Sequence, residues 1–377
     1  MRQARTNVRA DYIMVGGFLG AGKTTALLRL AEHLTARGRR VGLITNDQSS
    51  GLVDTALVGS YGYPVQEITG GCFCCRFNSL TAAAERLTEA AAPEVFLAEP
   101  VGSCTDLRAT VQYPLRRLYG DNYRIAPLSV LVDPLRALRV LGVEPGRAFS
   151  PKVRYVYGKQ LEEAEVIVVN KSDLLDAARR TRLEDALRSA YPAAEVLSVS
   201  ARTGAGLERW FARVSDADAG SRPAPGVDYD TYAEGEALLG WFNGTFRLRA
   251  ASPFDGNLLL LDLARELRDR LAAEQPEIAH FKMTLTPDDA LGDLAVLNLV
   301  GSDRDAELSH RLQDRLMSGE LIVNLRAEGD PEMLRAAALA TLAAAAARRN
   351  ARAEAVHVEH FRPSRPTPTH HMATVPI

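Results

Sequence analysis

Short, unbroken apolar runs recur along the first 200 residues, each closing on a polar side chain. They are "YIMV" (12–15), "RVGLIT" (40–45), "EVFLAEP" (94–100), "LSVLVDP" (128–134), "AEVIVVN" (164–170) and "EVLSVSA" (195–201). Apolar runs without alternation mark strands buried on both faces, as in a parallel sheet. Helix-period stretches separate most of them. Ala26, Leu27, Leu30 and Leu34 share one face between 24 and 37, and "GLERWFARV" (206–214) closes the series. This alternation predicts an α/β domain with a mostly parallel sheet over residues 11–214.

Periodicity vanishes in "SDADAGSRPAPGVDYD" (215–230), rich in Pro, Gly, Ser and Asp, so a linker is expected over 215–234. Beyond it the order of elements changes. "LGWFNGTFRLRA" reads as a strand or hairpin, 256–274 as an amphipathic helix, and "HFKMTL" and "DLAVLNLVG" as neighbouring strands. "AELSHRLQDRL" (306–316) has a helical look, and "GELIVNLRA", an Ala-rich helix over 331–349 and "AVHVEHF" complete the pattern. The expectation is a smaller α+β domain over 235–362, flanked by a flexible arm (1–10) and a mobile Pro-rich tail (363–377).

A chain of 377 residues accommodates two such domains. Its net charge of −2 gives no electrostatic reason to expect nucleic acid or an acidic membrane surface. No apolar run approaches the roughly 20 residues needed to span a bilayer. The basic N-terminus lacks the apolar core of a secretory signal. A cytoplasmic location is therefore expected, where thiols stay reduced.

"GFLGAGKT" (17–24) fits G-x-x-x-x-G-K-[ST] between a strand and a helix. Gly17, Gly20, Ala21 and Gly22 would offer backbone N–H groups to phosphate, with Thr25 completing the loop. Lys23 would neutralise the β- and γ-phosphates, and the Thr24 hydroxyl would sit on Mg²⁺. "NKSD" (170–173) ends a later strand. The Asp173 carboxylate can accept the two N–H donors of a guanine edge, which adenine does not present, while Asn170 and Lys171 brace the base and the phosphate loop. "SARTG" (200–204) follows the next strand, where amides around Ser200 and Ala201 would meet the guanine oxygen. Together these features favour GTP over ATP. Glu99 and Gly102 of "EPVG" are candidates for holding Mg²⁺ or its water and for sensing the γ-phosphate. Asp47 would close the metal or water shell.

"GGCFCC" (70–75) gathers three of the chain's four cysteines, Cys72, Cys74 and Cys75. Gly70 and Gly71 allow a tight turn, so three thiols can converge on a soft metal instead of alternating along a strand. Glu67 and Cys104 are candidates for a further ligand. Cys104 sits two residues after Gly102, where loss of a γ-phosphate would move the chain. A redox switch is the other reading of the cluster. His357 and His360 are three apart on a strand pattern and point to opposite faces. His280 and His310 read as structural, and His370 and His371 lie in the tail.

In this order, "GGFLGAGKTT", an acidic residue ahead of "GGCFCC", "NKSD" and "SARTG" resemble the CobW-like GTPases, relatives of the nickel-insertion GTPases of urease and hydrogenase. The resemblance covers residues 11–210. It implies that Cys72, Cys74 and Cys75 bind a divalent transition ion, Zn²⁺ or Co²⁺. It also implies that Gly20, Lys23, Thr24, Asn170 and Asp173 hold Mg·GTP, whose slow, stimulated hydrolysis controls metal transfer to a client metalloprotein. A GTP-dependent homodimer is a further expectation. An alternative within the resemblance is a GTPase that gates loading or repair of a metal cofactor, such as a corrinoid, on a partner enzyme. This chain departs from the family in "NDQSSG" (46–51) and "EPVGSCTD" (99–106).

Overall fold

The structure is a computed structural model that describes residues 9–46, 53–272, 276–289 and 292–374. The six apolar runs of the first half become strands β1 (Ala10–Gly17), β2 (Val41–Asn46), β4 (Val95–Glu99), β6 (Ser129–Val132), β7 (Val166–Val169) and β8 (Glu195–Ser198). Two short strands that the runs did not predict, β3 (Val65–Ile68) and β5 (Tyr123–Ile125), join them, because "VQEI" and "YRI" are too short and too polar to form an apolar run. Together they form one sheet in the order β3-β2-β4-β1-β6-β7-β8, with β5 also paired to β1, and every pairing is parallel. Residues such as Ile13, Leu97, Leu131 and Val168 are fully buried because helices cover both faces. Those helices are α1 (Lys23–Ala36), α2 (Val53–Ser60), α3 (Phe77–Ala91), α4 (Tyr113–Tyr119), α5 (Pro134–Val140), α6 (Pro151–Glu163), α7 (Ala177–Ala190) and α8 (Leu207–Asp216). The chain leaves β1 in one direction and returns to its other side through β6, so a crevice opens at the carboxyl end of β1.

The second half is one antiparallel sheet, β9 (Leu239–Phe254), β10 (Ile278–Pro287), β11 (Ala295–Leu299), β12 (Glu307–His310), β13 (Leu316–Glu328) and β14 (Ala351–Phe361). Its order is β12-β11-β10-β13-β9-β14. Preceded by α9 (Tyr229–Leu238), the sheet packs Phe242, Phe281, Met283 and Leu325 under α10 (Gly256–Ala272) and α11 (Pro331–Ala347). Trp241 and Ala279 join the core of the first domain instead. The two domains therefore share an apolar seam.

Three stretches differ from the sequence reading. The helix expected over 306–316 is the edge strand β12 followed by a loop, because Glu307–His310 pairs with β11 and buries no continuous face. The expected linker is partly ordered: residues 229–238 form α9, which packs on α6 so closely that a Cβ on Gly235 would lie 2.5 Å from the Lys152 carbonyl oxygen. The tail, expected to be mobile, runs extended against the first domain, with Met372 N donating to Ala109 O at 2.8 Å. Its polar composition conceals this because backbone groups make the contacts. Among the described residues no helix is long and apolar enough to cross a membrane.

Candidate nucleotide site and thiol cluster

Strand β1 ends at Gly17 and α1 begins at Lys23, which forces a tight loop into the crevice. Gly17, Gly20 and Gly22 have φ of +130°, +80° and +87°. A Cβ would lie 2.3 Å from Leu131 O at Gly17 and 2.5 Å from Asn170 Nδ2 at Gly22, so both sterics and backbone conformation demand glycine. No side chain caps α1 and its first turn carries no acid, an arrangement that suits an anion at the helix N-terminus. Thr24 Oγ1 donates to Glu99 Oε1 at 3.2 Å, and Lys23 Nζ lies 3.7 Å from the same oxygen. The hydroxyl and the carboxylate, both buried, fit the hard-oxygen preference of Mg²⁺. Thr25 is exposed and Ala21 buried.

On the other wall, Asn170 Nδ2 donates to Ala21 O at 2.9 Å, and its Oδ1 accepts from Ala201 N at 3.0 Å. One side chain thus ties the phosphate loop to the "SARTG" turn. Lys171, at φ +55°, donates to Gly20 O (2.8 Å) and Asp133 Oδ2 (3.0 Å). Asp173 accepts from Ser200 Oγ at 2.6 Å and from Arg202 at 2.9 Å, which holds its carboxyl below the usual range despite partial burial. The second domain reaches this site. Val300 and Ala279 crowd Gly20, and Arg304 makes a bidentate pair with Asp133 at 2.7 and 2.9 Å. Buried Arg136 donates to Leu19 O and to Ala279 O. These contacts were not visible in any local motif.

The chain leaves β3 through Gly70 (φ +72°) and Gly71 (φ +146°). It then closes a tight turn, with Cys75 N and Arg76 N both donating to Cys72 O. Phe73 and Phe77 are buried, anchoring the turn. The result is convergence: Sγ of Cys72 is 2.7 Å from Cys74 and 3.3 Å from Cys75, and Cys74 is 3.6 Å from Cys75. The Cys104 thiol acts on this group from the loop after β4. Interaction with Cys104, then with Cys74 and Cys75, holds the Cys72 thiol well below its ordinary value, against the effect of burial. The Cys75 thiol is pushed up to about 11, chiefly by its hydrogen bond with Cys72, and burial raises Cys104. Thiolates on a tetrahedral Zn²⁺ sit about 3.8 Å apart for Zn–S near 2.3 Å, so a slight spreading of this donor set fits such an ion.

Among the described residues the grouped metal-ligand candidates are Cys72, Cys74 and Cys75. Glu67 lies outside this group and lines a surface cleft with Asn78 and Arg86. Cys104 is fully buried beside the group and outside its 4.8 Å span. Asp47 lies outside the described residues. His357 and His360 face separate partners, Glu359 and Glu332.

Two connections reach the cluster from the ends of β2 and β4. Asn46, at the end of β2, donates to Ile68 O (3.0 Å) and Gly71 O (2.8 Å), holding the turn just before Cys72. Gly102 packs against the phosphate loop, where a Cβ would lie 3.1 Å from Leu19 N. From there Gln160 Nε2 holds both Gly102 O (3.0 Å) and Cys104 O (2.8 Å). Ser103 donates to buried Glu236, and Thr105 N to Tyr232 Oη, both on α9. Asp106 closes the loop in a left-handed conformation (φ +64°), with Oδ1 buried and unpartnered. Sequence reasoning missed Asn46, Gln160, Tyr232 and Glu236. Asn46 alone left a signal, a polar residue closing an apolar strand.

Residues 11–198 match the family described as CobW/HypB/UreG, nucleotide-binding domain. The chain is 28% identical over 214 residues to "Zinc chaperone CobW" of Sinorhizobium sp, covering 50% of this chain and 58% of that protein. It is 30% identical over 162 residues to "Zinc chaperone YeiR" of Escherichia coli (strain K12), covering 42% and 46%. The chain thus spans about half the length of the curated relatives it matches. Among solved structures, hydrogenase maturation factor HypB from Archaeoglobus fulgidus is similar at TM-score 0.37 and 20% identity, covering 54% of this chain and 87% of that one. Zn(II)-bound YjiA GTPase from E. coli is similar at TM-score 0.33 and 15% identity, covering 88% and 99%. At such TM-scores the fold rests on the strand order itself.

Proposed function

Because the chain belongs, through its first domain, to the CobW/HypB/UreG family of nucleotide-binding proteins, we propose that it is a GTP-hydrolysing metallochaperone. It binds a divalent transition ion at Cys72, Cys74 and Cys75 and passes it to a client protein. The observation that carries this reading is the convergence of three thiols within 3.6 Å of one another. That cluster is joined through Gly102–Cys104 to the phosphate loop, where Gly102 packs on Leu19, and through Asn46 to the end of β2.

In this reading Lys23 and the α1 N-terminus hold the phosphates, and Asp173 trades Arg202 for the guanine N–H donors. Thr24 and Glu99 would hold Mg²⁺, which when bound neutralises phosphate charge. Gly102, packed on the phosphate loop at Leu19, would sense the γ-phosphate, and Gln160 links its carbonyl to that of Cys104. A shift at Gly102 is therefore transmitted to the wall of the thiol cluster. Cys104 is the ligand gained or lost with nucleotide state.

The test is Zn²⁺ and Co²⁺ titration of reduced protein, with and without Mg²⁺ and a non-hydrolysable GTP analogue, beside Cys72→Ser/Cys74→Ser. Tight binding with thiolate-to-cobalt absorption is expected, shifting with nucleotide and absent in the variant. Retained GTP binding without tight metal binding in either state sinks the metallochaperone reading.

A further inference from the structure

Of the three clustered thiols, Cys72 and Cys74 are buried and Cys75 is half-exposed, so the Cys75 side is the open edge of the cluster. The C-terminal segment lies on that edge. Thr367 N donates to Cys75 Sγ at 3.2 Å, Thr369 N to Cys74 O at 2.9 Å, and Thr369 Oγ1 to Cys75 O at 3.2 Å. Beyond these, the His370 ring meets Phe77 edge-on at 4.8 Å, and His371 Nε2 lies 3.1 Å from Asp106 Oδ2. Tyr229 Oη of α9 donates to that same carboxylate oxygen at 2.6 Å. Met372 N then bonds Ala109 O, and Ala224 N bonds Ala373 O at 2.9 Å.

We propose that residues 366–373 are a strap that closes the open edge of the thiol cluster and sets the rate at which thiols and cargo are reached from outside. The segment carries no helix or strand, so it has no cooperative ladder to hold it down. It is fastened at separate points, and the point nearest the cargo is a single N–H···S bond. Pro366 and Pro368 flank Thr367 and keep the chain extended across the turn. The far end is anchored on Asp106, two residues from Cys104 in the loop that Gly102 begins. The strap is thereby fastened to the segment proposed to move with nucleotide state. The inference rests on the metal-site reading for its cargo, but the covering of the thiols stands apart from it.

The experiment uses the full-length, reduced protein and two readouts. Alkylation of Cys75 by iodoacetamide, followed by mass spectrometry, reports access in the metal-free protein. Transfer of bound Zn²⁺ to a chromophoric chelator reports cargo exit. The variants are Thr367→Pro/Thr369→Pro, which removes two amide donors in a segment already proline-rich, and His371→Ala, which keeps every backbone donor and removes the Asp106 anchor. Both should raise the alkylation rate and the zinc transfer rate, about tenfold for the proline pair. Faster alkylation in protein that binds no zinc would uphold the strap while the metal reading fails. Zinc bound and exchanged at the wild-type rate, with Cys75 alkylation also unchanged in both variants, would overturn the strap.

Discussion

The nucleotide site and the thiol cluster are built in opposite ways. Nearly every side chain of the nucleotide site comes from a motif that stands at the end of a parallel strand, so strand order brings those motifs together. The thiols come from four consecutive residues, yet their walls come from far away: Cys104, Tyr232 and Glu236 on one side, Thr367 to His371 on another. A motif fixes which atoms meet. The distant walls decide how buried those atoms are and what can reach them.

That contrast breaks if one site cannot be disabled without the other. Lys23→Ala is expected to have the largest effect, lowering GTP affinity on the order of a hundredfold through loss of about 3 kcal/mol of charge-assisted bonding to phosphate. Titration with a fluorescent GTP analogue checks this. Zinc binding in the absence of nucleotide should persist, and its loss would mean the sites are not separately built.

Next is Glu163, buried where it accepts from Thr105 Oγ1 and Arg108 N at 3.1 Å behind the Cys104 loop. Burial, then the Asp106 charge, pushes its carboxyl up to about 8 from 4.5. The folded state therefore keeps a proton that the unfolded state has lost between pH 4.5 and 8. Stability falls as pH rises through that window and levels off above it, with about 2–4 kcal/mol at stake for Glu163. Glu163→Gln should flatten this slope in urea unfolding at pH 5, 6.5 and 8. An unchanged slope would assign the pH dependence to other groups.

Smaller still is Cys104→Ser. As an exchanging ligand beside the cluster, its loss should weaken Zn²⁺ binding by about tenfold in one nucleotide state and leave GTP affinity alone. Equal Zn²⁺ affinity in the variant, with and without nucleotide, would confine the site to Cys72, Cys74 and Cys75. The smallest effect is expected for Arg202→Ala. Arg202 bridges Asp173 and Glu307 of the second domain, and its side chain is 54% exposed. Removing this competitor for the guanine acceptor should tighten GDP binding by about twofold to fivefold, as calorimetry would show.

Much of the architecture was legible because it follows from local pattern. Buried parallel strands need unbroken apolar runs, and "VIVV" (166–169) admits few other readings. Gly17 and Gly22 announced the phosphate loop because no other residue fits their conformation or space. β12 misled because "ELSH" is too short and too polar to display a period, and only pairing with β11 makes it a strand. α9 was hidden in linker-like composition, and its helix is held by packing on α6.

By itself the sequence determined the chemistry available: a glycine-rich strand-to-helix loop, a carboxylate at the end of β7 and three thiols within one turn. Each needs only neighbours in the chain, and short-range sterics carry that information. The tertiary structure alone decided that the second domain abuts Gly20, that Cys104 adjoins the cluster and that the tail crosses its open edge. Those contacts join residues hundreds of positions apart, often through backbone atoms, and a backbone amide is the same in every sequence.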